Sequence, residues 1–125
     1  MSLKDYLGYE DSLLPKLATG FGGGIGRRGS ICGALSGSVM ALGMKFGRTD
    51  PNDKETAARL YEKCRQFWDR FEKEFGNVHC LQITGFLLEN PEEQKKFLEA
   101  GGKAKCGELV EKTARMLCNF IEGIS

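Results

Sequence analysis

Residues 20–47 read GFGGGIGRRGSICGALSGSVMALGMKFG, and the two halves of this stretch have different physical properties. Gly20–Gly29, the glycine loop, contains six glycines and two arginines in ten residues, a composition that no regular helix or strand tolerates. The uncharged residues that follow, Ser30–Met44, predict a helix with Ser30 as its N-cap. The stretch therefore predicts a cationic loop that delivers one thiol, Cys32, to the start of a helix.

Cap, proline and glycine signals divide the whole chain into helices. Together with apolar residues at three- and four-residue spacing, they predict the end of a helix over residues 1–8 and helices over residues 11–20, 30–46, 50–75, 77–88, 90–100 and 103–122. The expected caps of these helices are Asp11, Ser30, Asp50, Asn77 and Asn90. Alternating strand patterns are almost absent. We therefore expect an all-α fold, a compact bundle of five to six helices in a single domain over residues 1–125, whose core is the 50–75 helix against the 30–46 and 103–122 helices.

Composition and charge exclude several classes of protein. The 125 residues are 41% hydrophobic and 28% charged with a net charge of +1, so no basic face for nucleic acid is expected. The longest uncharged run, Gly29–Met44, is shorter than the roughly 20 apolar residues that a spanning helix needs, so we expect no stable membrane insertion. No signal peptide is visible at Met1. A cytoplasmic protein is expected.

Five cysteines are an excess for such a chain, and their number is odd. Without a secretion signal, this argues against a framework of structural disulfides, because the cytosol keeps thiols reduced. The spacing contains no C-x-x-C pair, so neither a thioredoxin-type motif nor a zinc knuckle is indicated. Thiol redox chemistry, a metal or iron–sulfur site, and ordinary buried cysteines remain as interpretations.

Three of the cysteines share a predicted setting near the start of a helix, namely Cys32, Cys80 and Cys106. Unpaired backbone N–H groups and the positive end of the helix dipole favour a thiolate at such positions. Lys103, Lys105 and the two loop arginines are expected to add to this effect. Cys64 and Cys118 fall in or beside apolar helical stripes, and we expect them to be core residues.

The three helix-start cysteines are 48 and 26 residues apart, so only the fold can assemble a site from them. Such a site suits either a disulfide that forms and breaks between helices or a metal held by three thiolates. His79 is a candidate fourth metal ligand or a base for Cys80, and an ordinary surface or capping histidine fits the same position.

The sequence from Gly24 to Gly29, GIGRRG, matches the dinucleotide-binding fingerprint. That fingerprint requires a preceding strand and a βαβ unit, whereas a helix precedes it here, so Rossmann-type binding is not expected. An anion at the Ser30 helix start, gripped by Arg27 or Arg28, is a weaker interpretation. Small residues four apart leave one face of the next helix bare, for close helix packing or for a flat cofactor. The candidate cofactor-binding residues are therefore Gly24, Gly26, Arg27, Arg28, Ser30, Gly33 and Gly37.

Several segments together resemble one family. GFGGGIG at the loop, CGALSG from Cys32 to Gly37, ALGMKFG, FGNVHC ending at Cys80, and CGELV from Cys106 resemble the C_GCAxxG_C_C family of small proteins described as redox-active. The resemblance covers nearly the whole chain and implies that Cys80 and Cys106 are the two later family cysteines. It also implies a further cysteine in a helix ahead of the loop, which is not in this sequence. Two alternatives stay open: a truncated N-terminus, with which the abrupt beginning agrees, or a member that lacks this cysteine. Members are often encoded near transporter genes.

Three hypotheses of different classes follow. The leading one is a cytoplasmic thiol redox protein, a candidate thiol-dependent oxidoreductase that acts by thiol–disulfide exchange or electron transfer. Cys32 is its nucleophile or ligand, and Cys80 and Cys106 are the partners. The second is a metal or iron–sulfur binding module with Cys32, Cys80, Cys106 and His79 as ligands. The third is a non-catalytic helical interaction protein. The corresponding partners are a redox partner, a transporter-linked protein, or a second copy in a homo-oligomer.

Overall fold

A computed structural model describes residues 13–123, and these residues form six α-helices and no β-strand. The helices are α1 (Leu13–Ala18), α2 (Gly33–Phe46), α3 (Lys54–Phe75), α4 (Cys80–Thr84), α5 (Pro91–Glu99) and α6 (Gly102–Ile121), with a 3-10 turn at Thr19–Phe21. The all-α prediction is confirmed. The predicted helical turn over residues 1–8 and the predicted cap at Asp11 lie outside the described residues.

Helix α2 lies at the centre, in contact with both α3 and α6. The most deeply buried side chains come from these three helices and from the segment after α3, and they form one cluster of Leu35, Ala41, Leu42, Phe67, Phe71, Val78 and Leu117. Phe67 also meets Phe120 edge-on, with ring centroids 5.6 Å apart. Burying side chains of this size contributes about 1.5–3 kcal/mol each. The expected core is confirmed.

Three helices begin later than the sequence predicts. Helix α4 has His79 as its N-cap rather than Asn77, and it ends at Thr84. The N-cap of α2 is Cys32 rather than Ser30, because residues 30–32 are extended and pair with another segment. The N-cap of α3 is Asp53, whose carboxylate accepts a hydrogen bond from the Thr56 N–H at 3.1 Å. Asp50 instead accepts from the Asn52 N–H in the preceding turn. The predicted cap of α5, Asn90, is confirmed, since its side chain accepts from two N–H groups of the first turn.

The bare face predicted on α2 does not receive a neighbouring helix at its glycines. A Cβ added at Gly37 would meet no atom within 4 Å, so nothing packs closely there. A Cβ at Gly33 would lie 3.1 Å from the carbonyl oxygen of Phe21, so the close neighbour at this position is the loop. The expectation that both glycines let helices approach closely is therefore wrong.

None of the helices within residues 13–123 combines the length and the apolar content that a membrane crossing requires.

Candidate functional site

A short backbone pairing joins the segment before α2 to the segment before α4. Ile31 and His79 form an antiparallel bridge. On one side of this bridge the Cys32 N–H donates to the Val78 carbonyl at 2.8 Å, and on the other the Cys80 N–H donates to the Ser30 carbonyl at 2.7 Å. Ile31 and His79 are thus a pair flanked by hydrogen bonds rather than joined by them.

The bridge determines where the two nearby thiols lie. Side chains alternate along extended backbone, so Cys32 and Cys80 lie on the same side of the pairing and His79 lies on the other. Cys32 is opposite Val78, so Cys80 is the diagonal neighbour of Cys32. Residues in a diagonal pair have Cα atoms about 7–8 Å apart and Cβ atoms that are closer. A disulfide spans Cα atoms up to about 7 Å apart. A small approach of the two segments therefore brings these thiols within bonding range.

The glycine loop packs against this pairing. Five consecutive residues, 23–27, have positive φ between 57° and 74°, so the chain makes a left-handed turn there. The Ser30 N–H closes the turn onto the Gly24 carbonyl at 2.9 Å. A Cβ at Gly24 would lie 2.5 Å from the Ser30 nitrogen and 2.8 Å from the Cys80 Cβ. Only glycine at this position lets the loop lie directly on Cys80.

Both loop arginines contact the connection between α4 and α5, Arg27 through its main chain and Arg28 through its side chain. The Arg27 carbonyl accepts from the Glu89 N–H at 3.1 Å, and the Arg28 guanidinium pairs with the Glu89 carboxylate at 2.8 Å. The Arg28–Glu89 pair is exposed and contributes little to stability, about 0–1 kcal/mol. The structure therefore gives Arg28 a partner other than the thiols.

The three helix-start cysteines influence one another electrostatically. Burial raises the pKa of Cys80, the Cys32 and Cys106 sulfurs raise it further, and a hydrogen bond from Thr84 partly offsets this. Burial also raises the pKa of Cys106, and the Cys32 sulfur adds to that increase. Cys32, Cys80 and Cys106, the thiol cluster, therefore lie within electrostatic range of one another, and Cys32 acts on both other members.

The thiolate that the helix starts were expected to favour is not favoured at Cys80 or Cys106. Cys80 is only 7% exposed, and Cys106 lies beyond the first four residues of α6 rather than at its start. The charges that act on these two sulfurs come from neighbouring thiols rather than from lysines or arginines. Burial and like charge thus outweigh the helix starts, and these two groups are held as neutral thiols.

The remaining cysteines lie apart from the cluster. Burial raises the pKa of Cys64, which packs against the core, and the nearest charge that acts on it is Arg65. Burial also raises the pKa of Cys118, where Glu122 is the charge that acts. Cys64 is therefore the partly buried core residue that the sequence predicts, whereas Cys118 is partly buried and is not among the residues packed against the core cluster.

His79 is not brought to the thiols. Its ring is exposed, and Nδ1 lies 3.0 Å from the side-chain oxygen of Asn77, which also accepts from the His79 N–H. Within residues 13–123, no three histidine, cysteine, aspartate or glutamate side chains are placed to hold a metal ion together. The arrangement described here therefore does not fit the predicted four-ligand metal site.

The predicted anion site and cofactor face are also altered by the local geometry. The Ser30 N–H is already bonded to Gly24, and α2 begins three residues later, so Ser30 does not offer a free helix start. Gly26 is exposed, and a Cβ there would meet no atom within 4 Å. Of the candidate cofactor-binding glycines, Gly24 is the one in close contact with the thiol cluster.

A cavity of about 370 Å³ borders the cluster at Cys106. It lies between the end of α3, α4, α5 and the first half of α6, and it is lined by Phe75, Ile83, Thr84, Phe86, Phe97, Ala100, Gly102, Lys105, Cys106, Glu108, Leu109 and Lys112. Thr84 lies between the cavity and the buried Cys80. It lines the cavity, and its hydroxyl bonds to the main-chain carbonyls of Cys80 and Phe86 and to the Cys80 thiol. Sequence reasoning missed both the cavity and Thr84, because nothing in a five-residue helix marks one hydroxyl as important.

The fold and the site define a class: an all-α protein in which a backbone bridge pairs two cysteine-bearing segments beside the N-terminus of the central helix, with a third cysteine within electrostatic range. The chain belongs to the C_GCAxxG_C_C family, whose description is "Putative redox-active protein (C_GCAxxG_C_C)" and whose model matches residues 1–120. The family resemblance of the sequence is thereby confirmed.

One curated relative has no assigned function. It is an uncharacterized protein of Archaeoglobus fulgidus, 32% identical over 98 residues, which are 73% of this chain and 65% of the relative. The chain thus spans less than two thirds of that relative's length. No solved structure matches the chain significantly.

Proposed function

We propose that the thiol cluster performs thiol–disulfide exchange, with Cys32 as the attacking thiol and Cys80 or Cys106 as the thiol that resolves the intermediate. The single observation that carries this proposal is the antiparallel bridge at Ile31–His79, which places Cys32 and Cys80 as diagonal neighbours on one side of the pairing. Cys106 lies within electrostatic range of both. The family description, which names redox activity, supports the same class of chemistry.

The roles follow from the surroundings of each sulfur. Cys32 is the N-cap of a 14-residue helix, where unpaired N–H groups attract negative charge, and it is only partly buried. Cys80 is buried and is held as a neutral thiol, which suits a group that reacts second. Cys106 lies at the wall of the cavity and is the alternative second thiol.

Thiol–disulfide exchange at this cluster has two steps. The Cys32 thiolate attacks one sulfur of a partner disulfide, forms a mixed disulfide, and releases the other partner sulfur as a thiolate that takes up a proton. Cys80 or Cys106 then loses its proton and attacks Cys32, so that an internal disulfide forms and the second partner sulfur leaves. The partner is reduced by two electrons, and this protein is oxidised by two. A cytoplasmic setting is proposed with this function, since the cycle starts from reduced thiols.

The test uses an aromatic disulfide reagent that releases a coloured thiolate. Reduced protein is expected to release two thiolates rapidly, one from the attack and one from internal resolution. Cys32→Ser should abolish the rapid phase, and Cys80→Ser and Cys106→Ser identify the resolving thiol. Cys64→Ser is the matched control and should react like the unmodified protein. A rapid phase that survives Cys32→Ser overturns the proposal.

The metal or iron–sulfur hypothesis is an outcome of the same work. The measurement is the metal content of anaerobically purified protein. A stoichiometric amount of metal that disappears in the Cys32→Ser variant would favour metal binding at these cysteines over thiol exchange. The cluster would then have to rearrange, because its side chains within residues 13–123 do not converge as ligands.

A further inference from the structure

The cavity beside Cys106 has the surface of a binding site for an apolar ring. Its wall is formed by three phenylalanines and two aliphatic side chains, namely Phe75, Phe86, Phe97, Ile83 and Leu109. The Phe86 and Phe97 rings meet edge-on with centroids 6.0 Å apart, so one part of the wall is already an aromatic pair. Aromatic rings favour such edge and offset contacts with a further ring.

The size of the cavity limits its occupant. At about 370 Å³ it is near the lower end of the range for small-molecule sites, about 300–1,000 Å³. A space of this size suits a compact molecule with one or two rings and short substituents.

The charged side chains that line the cavity nearly balance. Lys105 and Lys112 are cationic, Glu108 is anionic, and Lys112 is paired with the carboxylate of Glu74. The lining has no large excess of either charge, and burying an unpaired charge is costly. An uncharged molecule therefore suits this lining best.

We propose that this cavity binds a small, uncharged, ring-bearing molecule and holds it against the Cys106 thiol. One member of the thiol cluster, Cys106, lines the wall, and Thr84, whose hydroxyl is bonded at Cys80, also lines it.

Thiols that form a disulfide need an acceptor for two electrons and two protons, and a quinone is an uncharged ring of that kind. This step rests on the proposed function. Two thiols that form one S–S bond release two electrons and two protons. A quinone takes up both electrons, each of its carbonyl oxygens gains one proton, and the ring becomes a hydroquinone. Substrate and product are both uncharged, which suits the cavity lining.

Binding is tested with tetramethylphenol, a redox-inert ring, by calorimetric titration of the reduced full chain. Ala100→Phe and Lys105→Trp place bulk at the wall and are expected to weaken binding at least about tenfold, a change of about 1.4 kcal/mol. Val110→Phe is the control, because Val110 is exposed on α6 and does not line the cavity. Circular dichroism verifies that each variant is folded. Equal affinity in all four proteins, or no saturable binding, overturns the site.

Reduction is tested with duroquinone, whose fully substituted ring resists addition of a thiol. One equivalent of reduced protein should form about one equivalent of hydroquinone. Cys106→Ser should abolish this, whereas Cys64→Ser should leave both duroquinone reduction and tetramethylphenol binding intact. The aromatic disulfide reagent separates the two proposals. Failure of that exchange overturns the proposed function, whereas exchange without duroquinone reduction overturns the quinone assignment alone.

Discussion

Cys32 and Cys80 occupy equivalent positions, each one residue beyond the Ile31–His79 bridge on its own segment. Backbone hydrogen bonds of 2.8 and 2.7 Å on either side of the bridge hold these segments together. The relative placement of the two thiols therefore depends on the main chain rather than on the cysteine side chains. Substitution of either sulfur should leave the pairing, and the position of the other sulfur, unchanged.

Gly24→Ala should destabilise the protein more than Gly26→Ala. Both residues have positive φ, at +74° and +57°, so both variants incur backbone strain of about 1–2 kcal/mol. Only at Gly24 would the new Cβ also meet Ser30 and Cys80 at under 3 Å, which adds about 1–3 kcal/mol of overpacking. Chemical denaturation measures the difference, and equal losses in the two variants would contradict the packing of the loop on Cys80.

Arg27→Gly and Arg28→Gly should have opposite effects on stability. Arg27 has a positive φ of 66°, so glycine relieves about 1–2 kcal/mol of strain there, at an entropic cost of about 0.4–1 kcal/mol in the unfolded chain. Arg28 does not have a positive φ, and its replacement also removes the pair with Glu89. Thermal or denaturant unfolding should show a small gain for the first variant and a loss for the second. A loss in both would contradict the left-handed turn.

Gly37→Ala should stabilise the protein by about 0.5–1 kcal/mol, the usual difference between glycine and alanine inside a helix. Nothing lies within 4 Å of the added Cβ, so no packing is disturbed. Gly33→Ala is the comparison, since its Cβ would press on the Phe21 carbonyl at 3.1 Å, and it should gain less or lose stability. Destabilisation by Gly37→Ala would restore the idea of a tightly packed glycine face.

Cys32→Ala should lower the pKa of Cys80 and of Cys106. Burial raises both values first, and the Cys32 sulfur raises them further, so its removal lets each thiolate form at lower pH while burial still holds the pKa above the ordinary value. NMR titration of isotopically labelled cysteine measures each group separately. Cys64, which burial alone raises, should titrate unchanged as the internal control. Unchanged titration of Cys80 and Cys106 would show that Cys32 is not their neighbour.

Local signals in the sequence predict most of the fold. The apolar stripe of α3 and the cap-and-proline pair at Asn90–Pro91 define helices that the structure confirms with small differences at the ends. The predicted start of α2 is wrong because capping preferences depend only on residues that are close in the sequence. Ser30 has the right side chain for a cap, but its carbonyl and N–H are taken by Cys80 and Gly24, which lie 50 and 6 residues away.

The sequence predicts the candidate site in part as well. Cys32, Cys80 and Cys106 can be singled out from helix starts and from the family resemblance, and the structure places them within electrostatic range of one another. Their protonation cannot be read from the sequence, because it depends on burial by residues from other helices. Position next to Cys80 in the sequence also suggested a role for His79, whereas alternation along the extended segment sends its side chain to the opposite side.

The most direct test of the thiol cluster is to map the disulfide that forms when the reduced protein meets one equivalent of a mild oxidant. Peptide mapping by mass spectrometry, with free thiols blocked at low pH, identifies the linked pair. We predict a single internal disulfide that contains Cys32, joined to Cys80 or to Cys106. Five unmodified thiols, or a disulfide that joins Cys64 or Cys118 and leaves Cys32 free, would contradict a redox centre built on Cys32.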